Sequence, residues 1–159
     1  MDAHHAHLLF NHFPIIGTFI GLIILIAGML LGSHAVRRVG YCVLIGAAVF
    51  TLPAFFSGEG AEEVVEKLPG MSHDIIHEHE EMGELALWMS EIMGLTSLFG
   101  LLLDLRRHRY ALTLSIATLV MGIICFGSLI RTGNSGGEIR RPEIRTGTNS
   151  SAGVEADND

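Results

Sequence analysis

Charge is what this sequence has least of. Only 17% of its 159 residues are Asp, Glu, Lys or Arg, against about 25% in an ordinary soluble domain. The shortage is local, because long stretches carry no charge at all. Aromatic residues are also few, at 7%. The two cysteines, Cys42 and Cys125, both fall inside apolar stretches, where a cysteine ordinarily serves as a small core residue. No Cys-x-x-Cys-His occurs, which excludes covalent c-type haem attachment. Ten basic residues face seventeen acidic ones, and the formal charge of -7 excludes a nucleic-acid binder. Glycine is plentiful, with 19 residues, as suits helices that pack closely in lipid.

The apolar residues gather in four segments: Phe13 to Leu31, Val39 to Phe56, Leu85 to Leu103, and Tyr110 to Ile130. Each is about the length that crosses a bilayer core as a helix. The expected fold is all-α, a four-helix transmembrane bundle with helices at about 8–32, 36–56, 73–105 and 109–130. These belong to one membrane domain, 1–145, followed by a polar tail, 146–159, whose Gly, Ser, Asn and Asp content predicts disorder. The His-rich start has no Lys or Arg and the first apolar run is too long for a cleavable signal peptide.

The connections set the orientation. Ser33–Arg38 joins the first two segments, and Asp104–Arg109, with Arg106, Arg107 and Arg109, joins the last two. Both are short and basic and belong on the cytoplasmic side. Both termini are then periplasmic in a bacterial inner membrane, with the loop from Ser57 to about His79. In that loop, Ala61–Leu68 reads as a short helix stopped by Pro69-Gly70, and Ser72 caps the third helix. A helix from His73 to Leu105 is about 50 Å long at 1.5 Å per residue, so its first turns project beyond the hydrocarbon.

Seven of the nine histidines (His4, His5, His7, His12, His73, His77 and His79) fall on that outer side, just before the first and third apolar segments. Two helices that each offer a histidine at one end suit a metal or a haem. The best axial pair by depth is His12 with His79, with His7 or His77 as substitutes. On a helix, His79 shares a face with Gly83, Ala86, Ser90 and Ser97. That stripe leaves room for a flat ring, or simply lets helices approach. His77 shares the other face with Glu81, Glu84, Trp88 and Glu91. A carboxyl as deep as Glu91 is a functional candidate by default. It relays protons, with Glu84 above it, or is a neutral acid bonded to Thr51, Thr113, Ser115 or Thr118. His77-Glu78-His79-Glu80-Glu81 lacks the second His of a zinc-protease motif, and no paired Glu-x-x-His of a di-iron site occurs.

His7-Leu-Leu-Phe-Asn-His12-Phe-Pro14, a His opening the third helix, and Thr132-Gly133-Asn134-Ser135-Gly136-Gly137-Glu138-Ile139-Arg140 with Arg141-Pro142-Glu143-Ile144-Arg145 after the fourth carry a resemblance over about residues 7–145. They resemble an uncharacterised family of small four-helix bacterial membrane proteins regarded as b-type cytochromes or haem-binding proteins. The resemblance implies haem b. The family carries His near positions 134 and 141, where this chain has Asn134 and Arg141, so a second haem held by a tail histidine is not expected. The tail's own chemistry is a glycine-permitted fold-back over the helix ends at Gly133, Gly136 and Gly137. It would bring Arg140, Arg141 and Arg145 to haem propionates, or to lipid headgroups and nearby glutamates.

The reading is a membrane b-type haem protein passing electrons at the outer face, as a subunit of a redox complex. Its partners would be lipid, other membrane redox subunits, and a quinone or a periplasmic cytochrome, with no nucleic acid. A self-standing enzyme is not expected, because no nucleophile or substrate pocket is legible. The alternatives are a zinc or copper site built from His73, His77, His79 and the acidic cluster, and a structural subunit without cofactor.

Overall fold

In lipid, an apolar run can satisfy its backbone only by closing hydrogen bonds within itself or around a sealed barrel. Here all four runs are helices: α1 (His12–Leu30), α2 (His34–Val65), α3 (His73–Leu105) and α4 (Ala111–Arg140). The structure is a computed structural model describing residues 7, 9–65 and 73–140, without the side chains of 59–65, 73–75 and 138–140. All four helices are long and apolar enough to cross a membrane. The chain is an all-α multi-pass membrane bundle.

The turns are built by local chemistry. At the end of α1, Gly32 takes a left-handed φ of 60°, and the following Ser33 amide donates back to the Gly28 carbonyl at 2.9 Å. This is the fold-back glycine permits at a helix C-terminus. Ser33 Oγ then accepts the Val36 amide at 3.4 Å and caps the start of α2. Arg107, with a φ of 49°, makes the corresponding reversal between α3 and α4. Two tight turns therefore sit at one end of the bundle, called the turn end below, and the histidines sit at the other, the histidine end.

Each helix packs antiparallel against the next, and α4 closes the ring against α1. The α1–α2 contact is the closest. A Cβ at Gly28 would strike the Arg37 backbone, and one at Gly40 would lie 2.8 Å from the Leu25 amide nitrogen. Large apolar side chains mostly face outward, among them Ile23, Val49, Phe56, Leu95, Phe99 and Ile123. The interior holds Leu25, Leu44, Tyr41 and Met93, but also Thr18, Thr51, Ser90, Ser97, Ser115 and Thr118. That distribution is the one expected where lipid, not water, is the surrounding solvent.

Two helices outrun their sequence boundaries. α2 runs through Pro53, continues past Phe56 and ends at Val65, so residues 57–65 are not loop. The short helix expected at Ala61–Leu68 is, through Val65, the end of α2, and its last residues lie outside the described ones. α4 does not stop at Ile130. It runs through Gly133, Gly136 and Gly137 to Arg140, and Gly32 alone among the described glycines has a positive φ. The expected fold-back of the tail over the helix ends is thereby corrected. Two of these glycines instead permit close packing, Gly133 against Ile15 and Gly136 against His79. Residues 141–159, with the predicted disordered tail, lie outside the described residues.

Candidate functional site

His7 stands in the helical turn just before α1, where its carbonyl accepts the Asn11 amide at 3.0 Å. Its ring is half-buried, and Nδ1 lies 2.9 Å from the Ala54 carbonyl on α2. A carbonyl only accepts, so Nδ1 carries the proton and donates. Gly58, one turn further along α2, lies against the same ring, and a Cβ there would come within 3.2 Å of Cε1.

His79 lies on the inward face of α3, half-buried, with Nδ1 2.8 Å from Ser135 Oγ on α4. The Ser135 hydroxyl spends its proton on the Thr132 carbonyl at 2.9 Å, so toward His79 it accepts. His79 also carries its proton on Nδ1. Gly136 sits against this ring as Gly58 does against His7. Thr132 pins the two helices together beneath it, its hydroxyl lying 2.9 Å from the Met82 carbonyl of α3 and 3.0 Å from the Ser128 carbonyl.

His7 and His79 thus come from different helices, are close enough to interact electrostatically, and hold the same tautomer. Each leaves Nε2 unprotonated. An imidazole anchored through Nδ1–H with a free Nε2 is the form in which histidine ligates a metal.

The structure places the other expected residues elsewhere. His12 is exposed on the first turn of α1, beside Phe13 in the aromatic cluster with Phe10 and Phe50. Of the expected ligands, the fold brings His7, the named substitute, toward His79 and leaves His12 exposed. His77 is 72% exposed and lies 3.5 Å from both Glu80 and Glu81 on its own helix, turned away from His79. The side chains of His73 and Arg140 are not described, and His4, His5, Arg141 and Arg145 lie outside the described residues. Among the described residues no group of three or more His, Cys, Asp or Glu is placed to hold a metal ion.

None of the four hydroxyls expected to partner Glu91 bonds it. Thr51 Oγ1 pairs with Ser90 Oγ at 2.8 Å and with the Ala47 carbonyl. Ser115 pairs with Tyr41 at 2.7 Å and with the Ala111 carbonyl. Thr113 is exposed, and Thr118 Oγ1 has no partner among the described residues. Glu91 Oε1 is buried with no partner among the described residues, while Glu81, Glu84 and Trp88 on the same face are exposed. The acidic face of α3 is an outer flank of the bundle rather than part of its interior.

Sequence reading missed the turn end. Asp104, where the expected third helix meets its basic connection, is a fully buried residue of α3. Its Oδ1 accepts from Arg37, with Nε at 3.0 Å, and lies 3.0 Å from His34 Nδ1. Its Oδ2 accepts from Arg38 Nε at 2.9 Å, and its carbonyl from the second Arg38 nitrogen at 2.9 Å. One signal was available. Continued in alternating steps of four and three, the stripe through His79, Gly83, Ala86 and Ser90 reaches Met93, Ser97, Gly100 and Asp104, the seam of a packed helix.

The chain matches no family model, no curated protein and no solved structure.

Proposed function

We propose that the protein is a membrane b-type haem protein, with His7 and His79 as axial ligands, that passes electrons on the outer side of a bacterial inner membrane. The observation that carries this reading is the shared anchoring of the two imidazoles, each with Nδ1 hydrogen-bonded to a neighbouring helix and Nε2 without a hydrogen bond among the described residues. A porphyrin brings four nitrogens of its own, so two protein donors suffice. A structural zinc site needs four donors and a catalytic one three, and the described residues gather no such group. The residues fit the axial role. The chemistry supplied by the bound group would be one-electron transfer. The protein's part is to fix the ring planes against Gly58 and Gly136 and to raise imidazole basicity through the Ala54 and Ser135 hydrogen bonds. The resemblance carried by His7, His12-Phe-Pro14 and the Gly136-Gly137 segment supports the same reading.

The two short connections at the turn end carry Arg37, Arg38, Arg106, Arg107 and Arg109. Short basic connections support a cytoplasmic turn end. Other membrane redox subunits, with a quinone or a periplasmic cytochrome, are the proposed partners.

An absorption spectrum of the detergent-purified protein, oxidised and reduced, tests the proposal. A low-spin haem spectrum that shifts on reduction is expected. Protein expressed with ample haem supply yet lacking a Soret band would overturn it, and metal analysis would then separate a zinc or copper site from a cofactor-free subunit.

A further inference from the structure

Between α3 and α4, on the outside of the bundle at the histidine end, lies a cavity of about 270 Å³ lined by Glu81, Met82, Leu85, Ser128, Arg131 and Thr132. The helices that form it set its depth. α4 carries no charge from Ala111 to Ile130. From Ala111 to Arg131 it rises about 30 Å at 1.5 Å per residue, the approximate thickness of the hydrocarbon. Arg131, the first charge beyond that run, therefore stands where hydrocarbon gives way to headgroups. Glu81 lines the same cavity from α3 at the same level.

Two opposite charges share this cavity without pairing. Arg131 is exposed and makes no ion pair among the described residues. Glu81 meets only His77 there, on its own helix, at 3.5 Å. The hydroxyls add direction. Ser128 Oγ donates to the Cys125 carbonyl at 2.8 Å, and Thr132 Oγ1 gives its proton to the carbonyl of Met82 or of Ser128. A hydroxyl has a single proton, so toward the cavity both offer lone pairs alone. Arg131 offers only N–H donors. The cavity thus matches an anion on one side and a cationic N–H donor on the other.

Apolar surface continues from it toward the middle of the membrane. Leu85 is 52% exposed, and Ile124, one turn from Ser128 toward the turn end, is 54% exposed. The volume falls just below the roughly 300–1,000 Å³ of pockets that enclose drug-sized ligands. It suits a headgroup whose tails remain outside.

We propose that this cavity binds the headgroup of phosphatidylethanolamine, with the phosphate on Arg131, the ammonium on Glu81, Ser128 and Thr132, and the acyl chains along Leu85 and Ile124. A guanidinium matches phosphate oxygens in a two-pronged, charge-assisted bond. A primary ammonium has three N–H groups for the carboxylate and the two hydroxyls. A choline headgroup has no N–H to give. A glycerol headgroup leaves a net negative charge beside Glu81, and free phosphate satisfies Arg131 alone. The bound lipid clamps α3 to α4 from outside, beside the bonds that Thr132 makes within. The site needs no cofactor, and neither His7 nor His79 takes part.

Native mass spectrometry of the full-length protein tests it. The protein, in mild detergent, is offered an equimolar mixture of phosphatidylethanolamine, phosphatidylcholine and phosphatidylglycerol with matched acyl chains. Wild type is expected to carry phosphatidylethanolamine several-fold more often than either competitor, and excess inorganic phosphate should not displace it. Arg131→Gln and Glu81→Gln should each lose the preference. Arg109→Gln, which removes an exposed arginine at the turn end, should keep it. Helical circular dichroism and a monodisperse elution profile show that each variant is folded, and the wild-type measurements decide the matter if one is not. The proposal is overturned by wild type that shows no preference or prefers another lipid, or by displacement with inorganic phosphate. It is overturned equally by a folded Arg131→Gln or Glu81→Gln that keeps the wild-type preference, or by its loss in Arg109→Gln.

Discussion

Arg37 Nε donates to Asp104 Oδ1 at 3.0 Å, and the two side chains are among the most buried charges in the described structure. They bind α2 to α3 at the turn end, where Arg38 adds bonds to Oδ2 and to the Asp104 backbone carbonyl. The carboxylate oxygens accept charged bonds from two guanidinium groups, so the cluster keeps an excess positive charge toward the proposed cytoplasmic face.

Removing one partner of a buried ion pair costs about 3–5 kcal/mol, because the other is left uncompensated. Asp104→Asn is therefore expected to lower the thermal unfolding midpoint in detergent markedly. Arg38→Gln should cost less, since that side chain is about a third exposed. Equal midpoints for Asp104→Asn and wild type would show that the cluster holds nothing together.

The axial assignment separates three histidines. His7→Ala and His79→Ala should each abolish low-spin haem absorption in purified protein. His12→Ala should retain it, because His12 is exposed and has no hydrogen bond among the described residues to orient its ring. Retention in both His7→Ala and His79→Ala would refute the pair.

Helix approach at α1–α2 gives a purely steric test. Gly40→Ala introduces a Cβ 2.8 Å from the Leu25 backbone nitrogen, an atom that cannot step aside. A loss of about 1–3 kcal/mol is expected from overpacking of this kind. Gly46→Ala, at a site with no neighbour within 4 Å, should be neutral. The comparison is read from paired melting curves in the same detergent.

Topology is checked by labelling single cysteines in a Cys42→Ala, Cys125→Ala background. Glu80→Cys should react with a membrane-impermeant maleimide in intact cells, and Ser33→Cys only after the membrane is opened. The reverse pattern would invert the orientation.

The four spans and the inward face of His79 were legible in the sequence, because runs without charge and a stripe of small residues are both written in local composition. The choice between His7 and His12 was not. Five residues on a helix turn a side chain well away from its first direction. α1 is apolar all round, so nothing in its pattern marks which side faces the bundle and which faces lipid. Asp104 went unread because a charged residue beside three arginines resembles a turn, although its phase on the α3 seam marks it as interior. The extension of α4 was hidden by three glycines, which signal a break in water but a close contact between membrane helices. Glu91 was placed at the right depth and given the wrong neighbours, since depth follows from position in the chain and partners follow from helix rotation.

α1 has only 19 residues, about 28 Å of helix at 1.5 Å per residue, while its three companions each have 30 or more. It is fixed at both ends, by the Gly32 reversal and by the His7–Ala54 bond, so it cannot lengthen and tilts only with the bundle. The shortest helix is then the ruler of the molecule. A thicker bilayer would draw the His7 turn into hydrocarbon and strip the imidazole of its hydrated surroundings, while the longer helices would tolerate the change. Hydrophobic mismatch would be felt first at the proposed ligand pair, which ties the chemistry of His7 and His79 to the thickness of the membrane that surrounds them.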